Sequence, residues 1–232
     1  MKKHVVFLAL VLFFVGGLLL MQSGTKDGSQ TAIAQEKETK TETIQLPEPK
    51  YDGEVSVEKA LLERRSIREY KEDSLTLSEV SQILWAAQGI TDPKTGHRTA
   101  PSARATYLLN VYILPGKVIG LPVGLYQYQP THHELLKMVG GDMKAKLFEA
   151  AGQAPIQNAP AALIITGLTA KTKNPNWFYL EAGHAAQNVY LEGVSLNIGT
   201  VVMAGFQEDA VKKALNLPAD ETVIYIMPIG KK

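Results

Sequence analysis

The chain has 232 residues, 45 % of them hydrophobic and 20 % charged, with a formal net charge of +1 and no cysteine. That length suits one well-packed domain behind an N-terminal extension and is too short for two large ones. The near-neutral balance excludes a phosphate-tracking nucleic-acid surface, and the missing cysteine excludes thiol chemistry, disulfides and Cys-ligated metal or iron–sulfur sites.

At the N-terminus, Lys2 and Lys3 precede an unbroken apolar run from Val5 to Met21. A positive start before such a run predicts export, with residues 1–21 as a signal peptide or an N-terminal membrane anchor and the domain on the extracytoplasmic side. Ala32-Ile33-Ala34 offers a small-x-small cleavage pattern but lies far beyond the run, so cleavage and retention both stay open. Residues 22–53 are rich in Thr, Glu, Lys, Gln and Pro, a composition that buries too little to repay its ordering entropy. They read as a disordered polar tether stiffened at its end by Pro47 and Pro49. The domain is expected over 54–232.

It opens with a short helix from Val55 to Glu63, followed at once by Arg64, Arg65, Ser66 and Arg68. Three guanidiniums and a hydroxyl in five positions suit a phosphate, because Arg offers paired planar donors at any working pH; the plainer alternative is a solvated basic turn. Thr76-Leu77-Ser78-Glu79 is a capping box for a helix ending at Gly89. A loop to about Arg104 follows, then strands at Leu109–Leu114 and Leu125–Tyr128, a helix at Asp142–Ala151 and a buried strand at Ala161–Thr166. The strongest helix runs from Asn176 to Leu196, with Ala182, Gly183, Ala185, Ala186 and Gly193 keeping it narrow enough for another backbone to approach. A strand at Thr200–Met203, a helix at Glu208–Leu215 and a strand at Thr222–Ile229 complete an α/β or α+β pattern.

Several segments from Ser56 to the C-terminus jointly resemble the nitroreductase-like flavin family, and within it the SagB-type dehydrogenases that oxidise azolines in modified peptides. They are Arg64–Arg68, Leu84–Ile90, Ala100–Tyr107, Gly124–Tyr128, Glu181–Asn188, Gly205-Phe206 and Pro228–Gly230. The resemblance implies a mostly antiparallel central sheet flanked by helices, in a domain-sharing homodimer that holds FMN between subunits. It also implies a ping-pong cycle, in which a donor such as NAD(P)H reduces the flavin at N5 and a small electrophile, a nitroaromatic or quinone, then takes the electrons. By the same resemblance Arg64, Arg65 and Ser66 grip the ribityl phosphate and Arg68 faces the pyrimidine side of the ring. Pro101, Ser102 and Ala103 reach the neighbouring subunit's flavin, Met203, Ala204 and Gly205 present backbone to N5, and Lys231 or Lys232 completes the phosphate site. A cation near N1 would stabilise the charge left by two-electron reduction.

Arg104 and Leu108 depart from the Gly and Pro common in SagB-type sequences, which opens the question of the substrate pocket. No general acid or base is assigned. His184 reads as a structural histidine, while His97 and Arg98 precede Pro101 where a substrate contact is plausible. His132-His133-Glu134 lacks the His-Glu-x-x-His spacing of a metal site and reads as a hairpin or helix start. Gly193–Asn197 misses the nucleophile-elbow pattern, and Trp85 and Trp177 read as core or dimer-seam packing. No Gly-x-Gly-x-x-Gly follows a strand, so no Rossmann site is expected. Three other functions stay open: a membrane-tethered flavin carrier without turnover, a peptide azoline oxidase, and a tethered interaction module lacking the cofactor.

Overall fold

The structure, a computed structural model, describes residues 42–232. Strand β1 (Thr43–Gln45) leads to α1 (Val57–Glu63), capped by the Ser56 hydroxyl accepting from Lys59 N–H. Next come β2 (Leu75–Thr76), α2 (Leu77–Gln88) and the short pair β3 (Ile90–Asp92) and β4 (His97–Arg98). After a 3₁₀ turn at Ala103–Ala105 the chain forms β5 (Leu109–Pro115), β6 (Val118–Ile119), β7 (Gly124–Gln129) and β8 (Glu134–Gly140). The remainder is α3 (Met143–Ala151), α4 (Ala154–Asn158), β9 (Ala161–Leu168), α5 (Asn176–Ser195), β10 (Ile198–Thr200), α6 (Glu208–Leu215) and β11 (Glu221–Lys231).

The central sheet has seven strands in the order β1-β8-β7-β5-β9-β11-β10, and every pairing in it is antiparallel. Alternation along β5 divides the core, because successive side chains leave a strand on opposite faces. Leu109, Val111 and Ile113 pack with α2 and α5, whereas Tyr112 and Leu114 pack with α3 and α6. The result is helix, sheet, helix, the expected α+β architecture. The capping box at Thr76 and Glu79 forms as its spacing predicts. The narrow flank of α5 is used at Gly193, where an added Cβ would lie 2.7 Å from the Ile198 carbonyl oxygen.

Three expectations need correction. The polar tether does not extend to Gly53: residues 43–45 pair with β8, and Leu46 is buried at 3 % exposure. Polar groups fix the rest of that segment, with Ser81 Oγ donating to Pro47 O, and Lys50 N–H and Lys50 O bonded to the Gln82 amide at 2.8 and 3.0 Å. One buried leucine among polar residues is too weak a pattern for composition to register. The strand expected at Thr200–Met203 is instead β10, ending at Thr200, after which only Met203 bridges to Ile226. β1 and β8 carry little apolar alternation and were not expected. Among the described residues no helix is long and apolar enough to cross a membrane; the Val5–Met21 run lies outside them.

Candidate functional site

The end of α1 delivers the Arg-Ser segment onto the edge of the sheet. Ser66 bridges Thr200 in parallel fashion, and Ile67 N–H donates to Thr200 O at 2.9 Å. Tyr190, on α5, organises the cluster. Its ring lies 5.1 Å from the Arg64 guanidinium, its hydroxyl accepts from Val202 N–H at 2.8 Å, and Ser66 Oγ is 3.2 Å away. Either hydroxyl can donate in the Ser66–Tyr190 bond, and the Ser66 oxygen is exposed beside the Arg64 guanidinium.

This strip fits a phosphate ester on three counts. Among the described residues neither Arg64 nor Arg68 makes an ion pair. Thr200, 2 % exposed, carries a buried hydroxyl oxygen with no hydrogen-bond partner, a costly arrangement unless another group supplies one. Ala204 and Gly205 are exposed, and an added Cβ at Gly205 would meet nothing within 4 Å. Met203 is nearly buried and tied to Ile226 by backbone bonds of 2.9 and 3.0 Å, so the open backbone beyond it is held from behind.

Two of the expected phosphate ligands are engaged elsewhere. Arg65 donates from Nη1 to the carbonyls of Leu62 and Arg64 at 2.9 and 2.7 Å, satisfying the orphan C-terminal acceptors of α1. The Lys231 ammonium is paired with Glu79, the residue that also closes the α2 capping box. Lys232 remains the half-buried last residue, its N–H donating to Asn197 O at 3.4 Å.

The Pro101–Leu108 loop is fastened by one face of α5. Glu181, 1 % exposed, accepts from Ser102 Oγ at 2.6 Å, Leu108 N–H at 3.1 Å and Gln88 Nε2 at 3.4 Å. One turn later His184 Nδ1 lies 3.2 Å from Pro101 O. His184 is therefore hydrogen-bonded, as a structural histidine should be, but it is exposed rather than embedded. Ser102 Oγ also accepts from Tyr107 N–H at 2.9 Å, which anchors a turn whose Arg104, Ala105 and Tyr107 have φ of 56°, 54° and 48°. Ser102 thus turns its hydroxyl inward, while Pro101 is exposed and Ala103 half-buried. Tyr190 and Glu181 are the residues that sequence reasoning did not single out. A signal existed for Glu181, a carboxylate in helical phase with the buried Ala185.

His97 is exposed, whereas Arg98 packs its guanidinium over Tyr107 at 4.5 Å and donates to Gln88 Oε1 at 2.9 Å. His132 and His133 fall in the β7–β8 turn, as a hairpin requires; His133, at φ 48°, sits between the Tyr128 hydroxyl at 2.8 Å and Ser81 and Pro47. Trp85 meets Tyr51 edge-on at 5.5 Å, and Trp177 packs partly buried against the α2–α5 core. A cleft of about 480 Å³ near Tyr70, Lys117 and Lys144 is lined by none of the expected cofactor residues.

Comparison with known proteins places these features in a family. Residues 61–231 match the model of the Nitroreductase family. A protein of Methanocaldococcus jannaschii assigned as a nitroreductase is 38 % identical over 199 residues, which cover 83 % of this chain and 98 % of that one. A crystal structure from Ralstonia eutropha with the same assignment is 29 % identical, with a TM-score of 0.72 over 82 % of this chain and 89 % of its own. At 20 % identity the shared fold extends to a Desulfovibrio desulfuricans structure, assigned likewise and in complex with FMN, with a TM-score of 0.57 over 76 % of this chain and 86 % of that one.

Proposed function

Because the chain belongs to the nitroreductase family of oxidoreductases, we propose that it is an FMN-dependent enzyme, acting as a homodimer, that passes electrons from a donor such as NAD(P)H to a small electrophilic acceptor. The observation that carries this is the Arg64–Tyr190–Ser66 cluster beside Thr200, which puts an arginine without an ion pair among the described residues, an exposed serine hydroxyl and an orphan buried hydroxyl in one strip leading to open backbone at Gly205. FMN, when bound, supplies two-electron transfer through its ring.

In this proposal Arg64 and Ser66 hold the phosphate by charge-assisted hydrogen bonds, and Tyr190 keeps Arg64 in place by lying against its guanidinium. Arg68 lends a fixed positive charge to the pyrimidine side of the ring. Ala204 and Gly205 offer the open backbone, with Met203 spent on Ile226 and holding them from behind, and Lys232 is the cation left for the phosphate. Pro101 and Ala103 face the partner's flavin, with Ser102 anchoring them from inside.

A homodimer is further supported by apolar surface on two adjacent helices. Val57, Leu61 and Leu62 of α1 and Tyr179 and Leu180 of α5 are all exposed, by 48 to 73 %. Exposed apolar side chains on two helices that pack on each other suit an association face.

Purified protein is expected to be yellow, to release FMN on acid treatment, and to lose its visible absorbance with NADH or NADPH until a quinone or nitroaromatic restores it. Colourless protein that takes up no added FMN overturns the assignment. Binding without donor-dependent cycling supports the carrier instead, and bleaching by an azoline peptide alone assigns the SagB-type peptide oxidation. From Lys2, Lys3 and the following apolar run we also infer export, with residues 1–21 a signal peptide or anchor. N-terminal sequencing of protein recovered from membrane and extracytoplasmic fractions distinguishes the two, and recovery in the cytoplasm alone refutes export.

A further inference from the structure

Beside the Ser102–Glu181 network lies a second, narrow cleft of about 190 Å³. It is bounded by the start of β5, the β7–β8 connection and Lys171 in the link from β9 to α5. That volume falls below the roughly 300–1,000 Å³ of cofactor and drug-sized pockets, so the occupant is small.

The charge balance of the walls is one-sided. Arg98 and Lys171 are the only ionised side chains of acid or base type lining the cleft, with no Asp or Glu, and Gln127, Gln129 and Thr131 add neutral hydrogen-bonding groups. The buried carboxylate of Glu181 acts on Arg98 through space, but its hydrogen bonds go to Ser102, Leu108 and Gln88, so it fills none of the Arg98 donor positions. The single side-chain hydrogen bond of the Arg98 guanidinium among the described residues is Nη1 to Gln88, and its Nε is buried with no partner. One face of the guanidinium is covered by Tyr107. A ligand therefore meets Arg98 edge-on, in the plane where a flat carboxylate pairs with two parallel N–H groups.

We propose that this cleft binds a small carboxylate of a few carbons, with Arg98 as the recognition residue and the exposed Lys171 as the second cation. The site does not rest on the flavin assignment, since it shares no residue with the Arg64–Gly205 strip.

Calorimetric titration of the full-length protein with sodium acetate, and in parallel with inorganic phosphate and with chloride, tests it. Acetate is expected to saturate with a Kd near about 1 mM, to weaken about tenfold or more in Arg98→Gln and about threefold in Lys171→Gln, and to bind unchanged in Arg64→Ala. Lys171→Glu, a change at an exposed position, should reduce acetate binding at least as much as Lys171→Gln, and it decides the matter if Arg98→Gln does not fold. Absence of saturation by about 50 mM acetate, binding of phosphate but not acetate, or wild-type affinity in the Lys171→Glu protein overturns the proposal. Loss of FMN in Arg64→Ala with acetate binding intact separates this site from the flavin reading.

Discussion

The Glu181 carboxylate accepts the Ser102 hydroxyl at 2.6 Å from within the core, so the loop after Pro101 is fastened from inside rather than by its own surface. Three donors converge on that one side chain. Removing it leaves buried donors without acceptors, which costs more than the bonds themselves are worth.

Glu181→Ala should therefore destabilise the protein by about 2–4 kcal/mol, and Glu181→Gln by less, since the amide oxygen still accepts one bond. Urea unfolding followed by circular dichroism measures both. An Ala variant within about 0.5 kcal/mol of wild type would show that the network contributes nothing.

Arg64→Ala and Arg65→Ala should separate cleanly. Arg64 makes no ion pair among the described residues and rests on Tyr190, so its loss should weaken FMN binding about 10- to 100-fold with little effect on stability. Arg65 serves the end of α1, so its loss should lower stability by about 0.5–1 kcal/mol with a smaller effect on FMN. Fluorescence titration of flavin against each apo-protein reads the difference.

His133 gives a pH dependence of defined sign. Burial pushes its imidazole below the ordinary value of 6.5, against weaker opposing influences from Pro47 O and Glu48. A folded value below the unfolded one means that the neutral ring is favoured by folding. The stabilisation is complete above pH 6.5 and is lost as pH falls through the depressed value. Comparing urea midpoints at about pH 7 and about pH 5, the drop should be larger in wild type than in His133→Gln, whose side chain does not titrate. Equal drops would remove His133 from the acid response.

Arg104 is exposed and holds φ 56°, a left-handed conformation that costs an L-residue about 1–2 kcal/mol and glycine almost nothing. Arg104→Gly should raise the unfolding free energy by up to about 1 kcal/mol, less what glycine gives back in the unfolded chain. A fall in stability would mean that the guanidinium makes a compensating contact.

Elements whose physics is local could be read from the chain. The capping box at Thr76 and Glu79, the apolar strand at β9 and the long α5 each declare themselves within about a dozen residues by period or cap. What escaped depends on partners distant in sequence. β8 alternates weakly and is held by β7 on one side and β1 on the other, so nothing in its own seven residues marks it strongly. The Arg-Ser segment was legible as phosphate chemistry, but Tyr190, more than a hundred positions away, was not visible as its organiser. Lys231 shows the converse: a terminal cation suggested an anion site, and the fold gave it to Glu79 across 152 positions of sequence.

The short strand β1 has a consequence for where the folded unit can be cut. It occupies the outer hydrogen-bonding side of β8 through Thr43, Ile44 and Gln45, and Lys137 N–H reaches back to Glu42 O at 2.9 Å. A chain shortened to begin at Gly53 would uncover that row of backbone donors and acceptors, a ready template for sheet extension from one molecule to the next. Self-association and precipitation of such a truncated form, cured by restoring residues 42–52, would follow from three paired residues that no hydrophobic pattern announces.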